Sequence, residues 1–301
     1  AIKDKLTDVQ KIIVFGNAGE LEDKEIALDE VMKMGDEFLA KNEELFVQRY
    51  QSVGPDDYAN ISYTSGTSSS PKGVMLSARS ISSNVQFARD HIPADPSDSL
   101  LSILPLAHIF GQIFDFVYPF TCGCHVNIFT EKPIPARLLK ALADVRPFMF
   151  LTVPLLIEKI FRAKVMPTLQ KPVMKVLTAI PGINTLIYNK VRSTLIATFG
   201  GCIEKGGIIL GGAALNKEVE DWMKKMKFPY CVGYGMTEAA PLMAYEDWWD
   251  FAPKSCGKAI DTVEIRIDSQ DPYKMVGEIQ ARGTNIMSGY FKNEEATAAA
   301  F

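Results

Sequence analysis

An α/β fold is what this sequence predicts: mostly parallel sheets flanked by helices, with a β-rich segment at the C-terminal end. Three observations predict it. Short apolar runs of strand length alternate with longer amphipathic stretches of helical period. That alternation continues to about residue 245. Beyond Asp250 the texture changes to strict in–out alternation, the pattern of a hairpin or distorted barrel with one wet face. The expected division is an α/β core over 1–245 and a β-rich segment over 246–301.

The expected strands are 11–15, 60–63, 99–104, 125–129, 148–153, 207–210 and 230–233, each an apolar or β-branched run bounded by polar or turn residues. Between them, apolar residues recur at helical spacing over 28–42, 80–90, 135–144, 154–163 and 217–226. Asn216 is placed to cap the last of these, with Glu218 and Glu220 in its first turn. The 174–198 stretch is apolar but broken by Pro181-Gly182, so it reads as helix, break, helix, with the second helix over 185–197. Such a hairpin either packs on the core or touches a membrane surface. Val263–Asp268 alternates strictly and 277–282 nearly so, with Ser269-Gln270-Asp271-Pro272 as the start of the turn between them.

Composition removes several classes of function. The 301 residues are 47% hydrophobic, enough for a substantial core. The net charge of −4 comes with no basic stripe across the fold, which argues against nucleic acid as a partner. Five cysteines read as reduced thiols, and Cys122-Gly123-Cys124-His125 lacks the second ligand pair a structural metal needs. No run approaches the roughly 20 apolar residues of a membrane span. A cytoplasmic protein with peripheral membrane contact, or a homodimer, is compatible with this composition.

The most informative stretch is YTSGTSSSPKG, residues 63–73. A β-rich run ends in seven consecutive Ser, Gly and Thr residues, then Pro71, Lys72 and Gly73. Small hydroxyl residues and a glycine let backbone N–H groups and side-chain hydroxyls converge on an anion, and Lys72 adds positive charge. The spacing is not that of the Walker loop, whose second glycine would fall on Pro71. Four further segments follow in order: LPLAHIFG (104–111), GGAAL (211–215), GYGMTE (233–238) and GEIQARGTNIMSGYF (277–291).

Taken together, the five segments resemble the adenylate-forming superfamily of acyl- and aryl-CoA synthetases, peptide-synthetase adenylation domains and luciferases. The stretch 145–161 further resembles the fatty acyl-CoA synthetase branch. The resemblance implies an AMP-forming fatty acid–CoA ligase that takes ATP, Mg2+, CoA and a carboxylate. Its alternatives are an aryl- or medium-chain acid ligase and a non-catalytic ATP- or acyl-adenylate-binding module. It implies that Thr64, Ser65, Gly66, Thr67, Ser68 and Lys72 grip phosphates, with Thr64 and Glu238 serving Mg2+. Gly212, Ala213 and Ala214 would wall the adenine slot opposite Gly233, Tyr234, Gly235 and Met236, with Tyr234 beside the base. Thr237, Glu238 and His108 would be the catalytic set, His108 lining the carboxylate site. Ser69 departs from the family, which usually has glycine there, and serine lacks glycine's access to positive φ.

The resemblance further implies an aspartate near the position of His108 in members that take amino acids; Ala107, His108, Ile109 and Phe110 offer no acid, which argues against an amino-acid substrate. Phe110, Phe114, Phe116, Met149 and the 155–157 stretch are candidates equally for an acyl tunnel and for core. The resemblance also implies that a full member carries more chain on both sides, including a mobile C-terminal domain with a catalytic lysine. Residues 1–301 alone are therefore expected to be inactive.

Overall fold

Alternation of apolar side chains along three short strands sets the centre of the architecture. The computed structural model describes residues 6–16, 19–64 and 71–301. These fall into two compact units, Ala1–Gly54 and Pro55–Phe301. In the first, Ile12–Val14 pairs in parallel with Glu25–Ala27, followed by the helices Leu28–Lys41 and Glu43–Ser52. Neither helix contains a buried residue.

In the second unit Met149–Thr152, Gly207–Leu210 and Tyr230–Val232 form a parallel sheet in that order. Ser99–Ser102 pairs in parallel with His125–Ile128, and the Phe148 N–H donates to the Ser99 carbonyl at 3.0 Å, bringing the two ladders side by side. Successive side chains point to opposite faces. Met149, Leu151, Ile209 and Cys231 face one core, shared with the helix Ala78–His91. Phe150, Ile208, Leu210, Tyr230 and Val232 face a second core, shared with Pro135–Val145, Pro154–Lys164, Ile183–Thr198 and Lys217–Lys225. Helices covering both faces make the strands apolar throughout, as a buried parallel sheet requires.

Most expected elements are present within a residue or two of the bounds read from the sequence. Asn216 caps Lys217–Lys225, its side chain accepting from the Glu218 and Val219 N–H groups. The helix expected at 80–90 starts at Ala78 because Ser77 caps it, accepting from the Ser80 N–H at 3.1 Å. Several strands were not anticipated, among them Glu25–Ala27 and Leu242–Tyr245; another, Lys72–Ser77, pairs antiparallel with Tyr58–Thr64, ending in the pair Thr64 and Lys72. Its other edge takes Gly289–Tyr290.

The C-terminal region is β-rich and antiparallel. Leu242–Tyr245 lies between Tyr234–Gly235 and Lys258–Ala259, and Val263–Asp268 pairs with Glu278–Gly283 over six positions. No closed barrel forms among the described residues. The Val263–Asp268 ladder keeps one wet face and ends at two strands, so the distorted-barrel expectation gives way to open antiparallel ladders.

Candidate functional site

Four of the singled-out segments leave the carboxyl ends of parallel strands, where open α/β sheets place their ligand crevices. LPLAHIFG follows Ser99–Ser102, GGAAL follows Gly207–Leu210 and GYGMTE follows Tyr230–Val232. Pro154–Lys164, from the fatty-acyl-like stretch, follows Met149–Thr152. The first two segments touch directly: a Cβ at Gly211 would meet the Phe110 ring at 3.0 Å, so glycine lets the His108 segment close on the GGAA turn. The Gly233 N–H donates to the Leu210 carbonyl at 2.9 Å, which sets the GYG turn beside GGAA.

The centre of the site is Tyr290. Its hydroxyl donates to Glu238 Oε1 at 2.8 Å. Lys72 Nζ stands over its ring, 5.0 Å from the centroid. Three segments far apart in sequence thus converge on one side chain, because Gly289–Tyr290 is hydrogen-bonded to the strand that begins at Lys72. Burial, then the Glu238 carboxylate, push the Tyr290 hydroxyl up to about 12, so it stays protonated as the donor. The other carboxylate oxygen of Glu238 has no hydrogen bond among the described residues. One hard anionic oxygen suits a divalent cation that takes its remaining ligands from phosphates and water, and a lysine on the other side of Tyr290 suits the phosphates.

Two buried asparagines clamp the turn that carries Thr237 and Glu238. Asn84 donates to the Ala239 carbonyl at 3.1 Å and accepts from the Leu242 N–H at 3.1 Å. Asn285 donates to the carbonyls of Ala239 and Leu242, at 3.1 and 2.8 Å. The Glu238 carbonyl accepts from the Met287 N–H at 2.8 Å. Gly235 has no room for a side chain, since a Cβ would sit 2.1 Å from the Pro241 carbonyl oxygen. The GYGMTE loop is therefore held by its backbone, leaving Tyr234, Met236, Thr237 and Glu238 partly or largely exposed.

His108 is exposed and opens the short helical turn Ile109–Gly111. Its backbone is fixed by bonds to Pro105 and Gln112, while its ring has no partner among the described residues. The segment before it is anchored by Asp115, which lies in a π-helical turn, Gln112–Val117. Asp115 Oδ2 accepts from the Ile103 and Leu104 N–H groups at 3.2 and 3.1 Å, and Oδ1 is buried without a partner. Burial pushes its carboxyl up to about 7 against the opposing effect of those bonds.

Lys72, Glu238 and Tyr234 stand at the bases of the loops expected to carry them, and Gly212, Ala213 and Ala214 are exposed at the strand end. Ser65, Gly66, Thr67, Ser68 and Ser69 lie outside the described residues. Thr64 is the last paired residue before them. The apolar residues considered for a tunnel do not share one lining. Phe114 and Met149 are in one core, Ile157 is in the other, and Leu155 is exposed. Among the described residues no group of three or more His, Cys, Asp or Glu side chains is arranged to hold a metal ion.

Tyr290, Asn84, Asn285 and Asp115 were not singled out from the sequence. Asp115 left a trace there, a polar residue inside an otherwise apolar run, whereas Asn84 follows Ser80, Ser82 and Ser83 in a polar stretch and did not. Tyr290 and Asn285 sit within a motif already noted, but nothing local in that motif points to Glu238.

Comparison with known proteins gives a consistent picture. The model of a family described as AMP-binding enzyme matches residues 2–291. A long chain acyl-CoA synthetase 6, peroxisomal, of Arabidopsis thaliana is 29% identical, over 83% of this chain and 38% of its own length. A 4-coumarate–CoA ligase of Pinus taeda is also 29% identical, over 82% and 43%. Among solved structures, ATP-bound MatB from Rhodopseudomonas palustris superposes with a TM-score of 0.60 at 26% identity, covering 82% of this chain and 44% of that one. The chain spans less than half the length of the relatives it matches.

Proposed function

Because the chain belongs to the AMP-binding enzyme family, we propose that it is the nucleotide-handling core of an AMP-forming acid–CoA ligase acting on a fatty acid. The observation that carries this reading is the convergence of Lys72 and Glu238 on Tyr290, beside the strand ends that present the GGAA and GYG turns. One relative named as an acyl-CoA synthetase and one named as a CoA ligase support the acid–CoA class, and the ATP in the MatB structure supports the nucleotide. When bound, ATP supplies the adenylyl group that converts a carboxylate into a mixed anhydride open to the CoA thiol, while Mg2+ offsets phosphate charge. Lys72 brings positive charge to the phosphates, and Tyr290 holds the carboxylate of Glu238 where a metal ion needs an oxygen. Gly233 and Gly235 let the Leu242–Tyr245 strand close against the back of the turn that presents Tyr234. His108, exposed in the segment that follows the strand Ser99–Ser102, is assigned to the carboxylate end.

The division into 1–245 and 246–301 and a cytoplasmic location belong to the same proposal. No described helix is long and apolar enough to cross a membrane. An aryl acid is the second reading, favoured by a 4-coumarate ligase matching at the same 29% identity as the long-chain synthetase. A screen of carboxylates by chain length and aromaticity on the full-length protein separates the two.

The assignment of Glu238 is tested by ATP–pyrophosphate exchange in the full-length protein. Glu238→Ala is expected to lower exchange at limiting Mg2+ by at least about a hundredfold while the protein still folds, since it removes a metal-facing oxygen and one hydrogen bond rather than a core side chain. Exchange at the wild-type rate refutes the assignment. A wild type that binds ATP but exchanges no pyrophosphate points instead to a non-catalytic binding module.

A further inference from the structure

We propose that the outer face of the helical hairpin formed by Pro172–Ala179 and Ile183–Thr198 docks on an anionic lipid surface. Between Lys159 and Ile203 the chain carries five lysines and two arginines without a single aspartate or glutamate, in a molecule whose net charge is −4. The hairpin has two distinct sides. Met174, Ile187, Tyr188 and Val191 pack inward on the second core, with Tyr188 edge-on to Trp222. On the outer side Val173, Val176 and Leu186 are 67%, 64% and 71% exposed, and Ile180 and Ile183 are exposed between them. Five exposed aliphatic side chains thus fall within 14 residues, two on the first helix, two on the second and Ile180 at the break between them.

Branched aliphatic side chains beside lysines, with no acid to repel phosphate, match the chemistry of a bilayer interface. The aliphatic groups enter the headgroup–acyl boundary, and the lysines reach lipid phosphates and carboxylates. Lys171, Lys175 and Lys190 are exposed and have no carboxylate partner among the described residues. Arg192 is already engaged by Glu204 and the Lys227 carbonyl and is not counted. A second copy of this chain is a poorer occupant, because a two-fold contact through this face would set the same cations against one another.

The test is vesicle co-flotation of the full-length protein, with phosphatidylcholine alone or mixed with phosphatidylserine at about 7:3. Binding is expected to the mixed vesicles and to weaken as salt rises from about 0.1 to 1 M, where the Debye length shrinks to roughly 3 Å. The triple variant Val173→Ser/Val176→Ser/Leu186→Ser and the triple variant Lys171→Gln/Lys175→Gln/Lys190→Gln are each expected to lower partitioning about tenfold or more. All six positions are exposed, so unchanged melting curves should accompany the loss. Wild-type protein that floats equally with and without phosphatidylserine overturns the proposal, as do variants that bind like wild type. So does a serine variant whose only change, by sedimentation velocity, is loss of a dimer. The readout does not involve turnover, so failure of the ligase reading leaves it standing.

Discussion

Tyr290 concentrates most of the site's geometry in one hydroxyl and one ring, and the two can be separated experimentally. Tyr290→Phe keeps the ring under Lys72 and removes the donor to Glu238. A hydrogen bond to a charged group is worth about 1.5–3 kcal/mol, so ATP–pyrophosphate exchange in the full-length protein should fall roughly tenfold to a hundredfold. Tyr290→Leu, which loses the ring as well, should raise the apparent KM for ATP further. Asp115 is the other residue with a measurable signature. Its folded carboxyl titrates at about 7 against an ordinary value of 3.8, so the folded state binds the proton more tightly than the unfolded chain. That stability is fully present below about pH 4 and is lost as pH rises toward 7, a drop of up to roughly 4 kcal/mol. Asp115→Asn keeps an oxygen for the Ile103 and Leu104 N–H groups and cannot ionise. Urea unfolding of this variant should lack that component between pH 4 and 7, and the variant should gain on wild type at pH 8.

At the scale of elements, the loop carrying Glu238 depends on a helix and a strand end that the sequence does not visibly connect to it. Asn84→Ala leaves the Leu242 N–H without its buried partner and removes one of two donors to the Ala239 carbonyl. A cost of about 2–4 kcal/mol in urea unfolding is expected. Gly235→Ala drives a methyl into the Pro241 carbonyl and is expected to lower nucleotide affinity through displacement of the loop, at about 1–3 kcal/mol of strain. These dependencies explain what was legible in advance. Gly207–Leu210 and Lys217–Lys225 announce themselves through local periodicity and a cap, as do the hairpin strands Val263–Asp268 and Glu278–Gly283. Lys72–Ser77 reads in sequence as the tail of a loop, and only its pairing on both edges makes it a strand. The motif residues Lys72 and Glu238 were legible as chemistry. Their common partner was not, because contact between residues so far apart carries no local signal.

Across the whole molecule, stability is concentrated where the parallel sheet separates two cores. Ile208→Ala, at a fully buried position, should cost about 2–5 kcal/mol. Removing the exposed Arg282–Glu264 cross-strand pair should cost at most about 1 kcal/mol, as read from the shift in urea midpoint. One long-range pairing also bears on the order of events during synthesis. Lys72–Ser77 takes its second neighbour from Gly289–Tyr290, so after translation of the first strand its edge waits for the rest of the ladder. At about 5–20 residues per second the wait is on the order of tens of seconds. Through that interval the nascent chain presents an open strand edge, a template for pairing with another chain. A ribosome stalled before Ser288 would hold a polypeptide with the second core and most of the first encoded, but Glu238 and Lys72 still without the tyrosine that joins them.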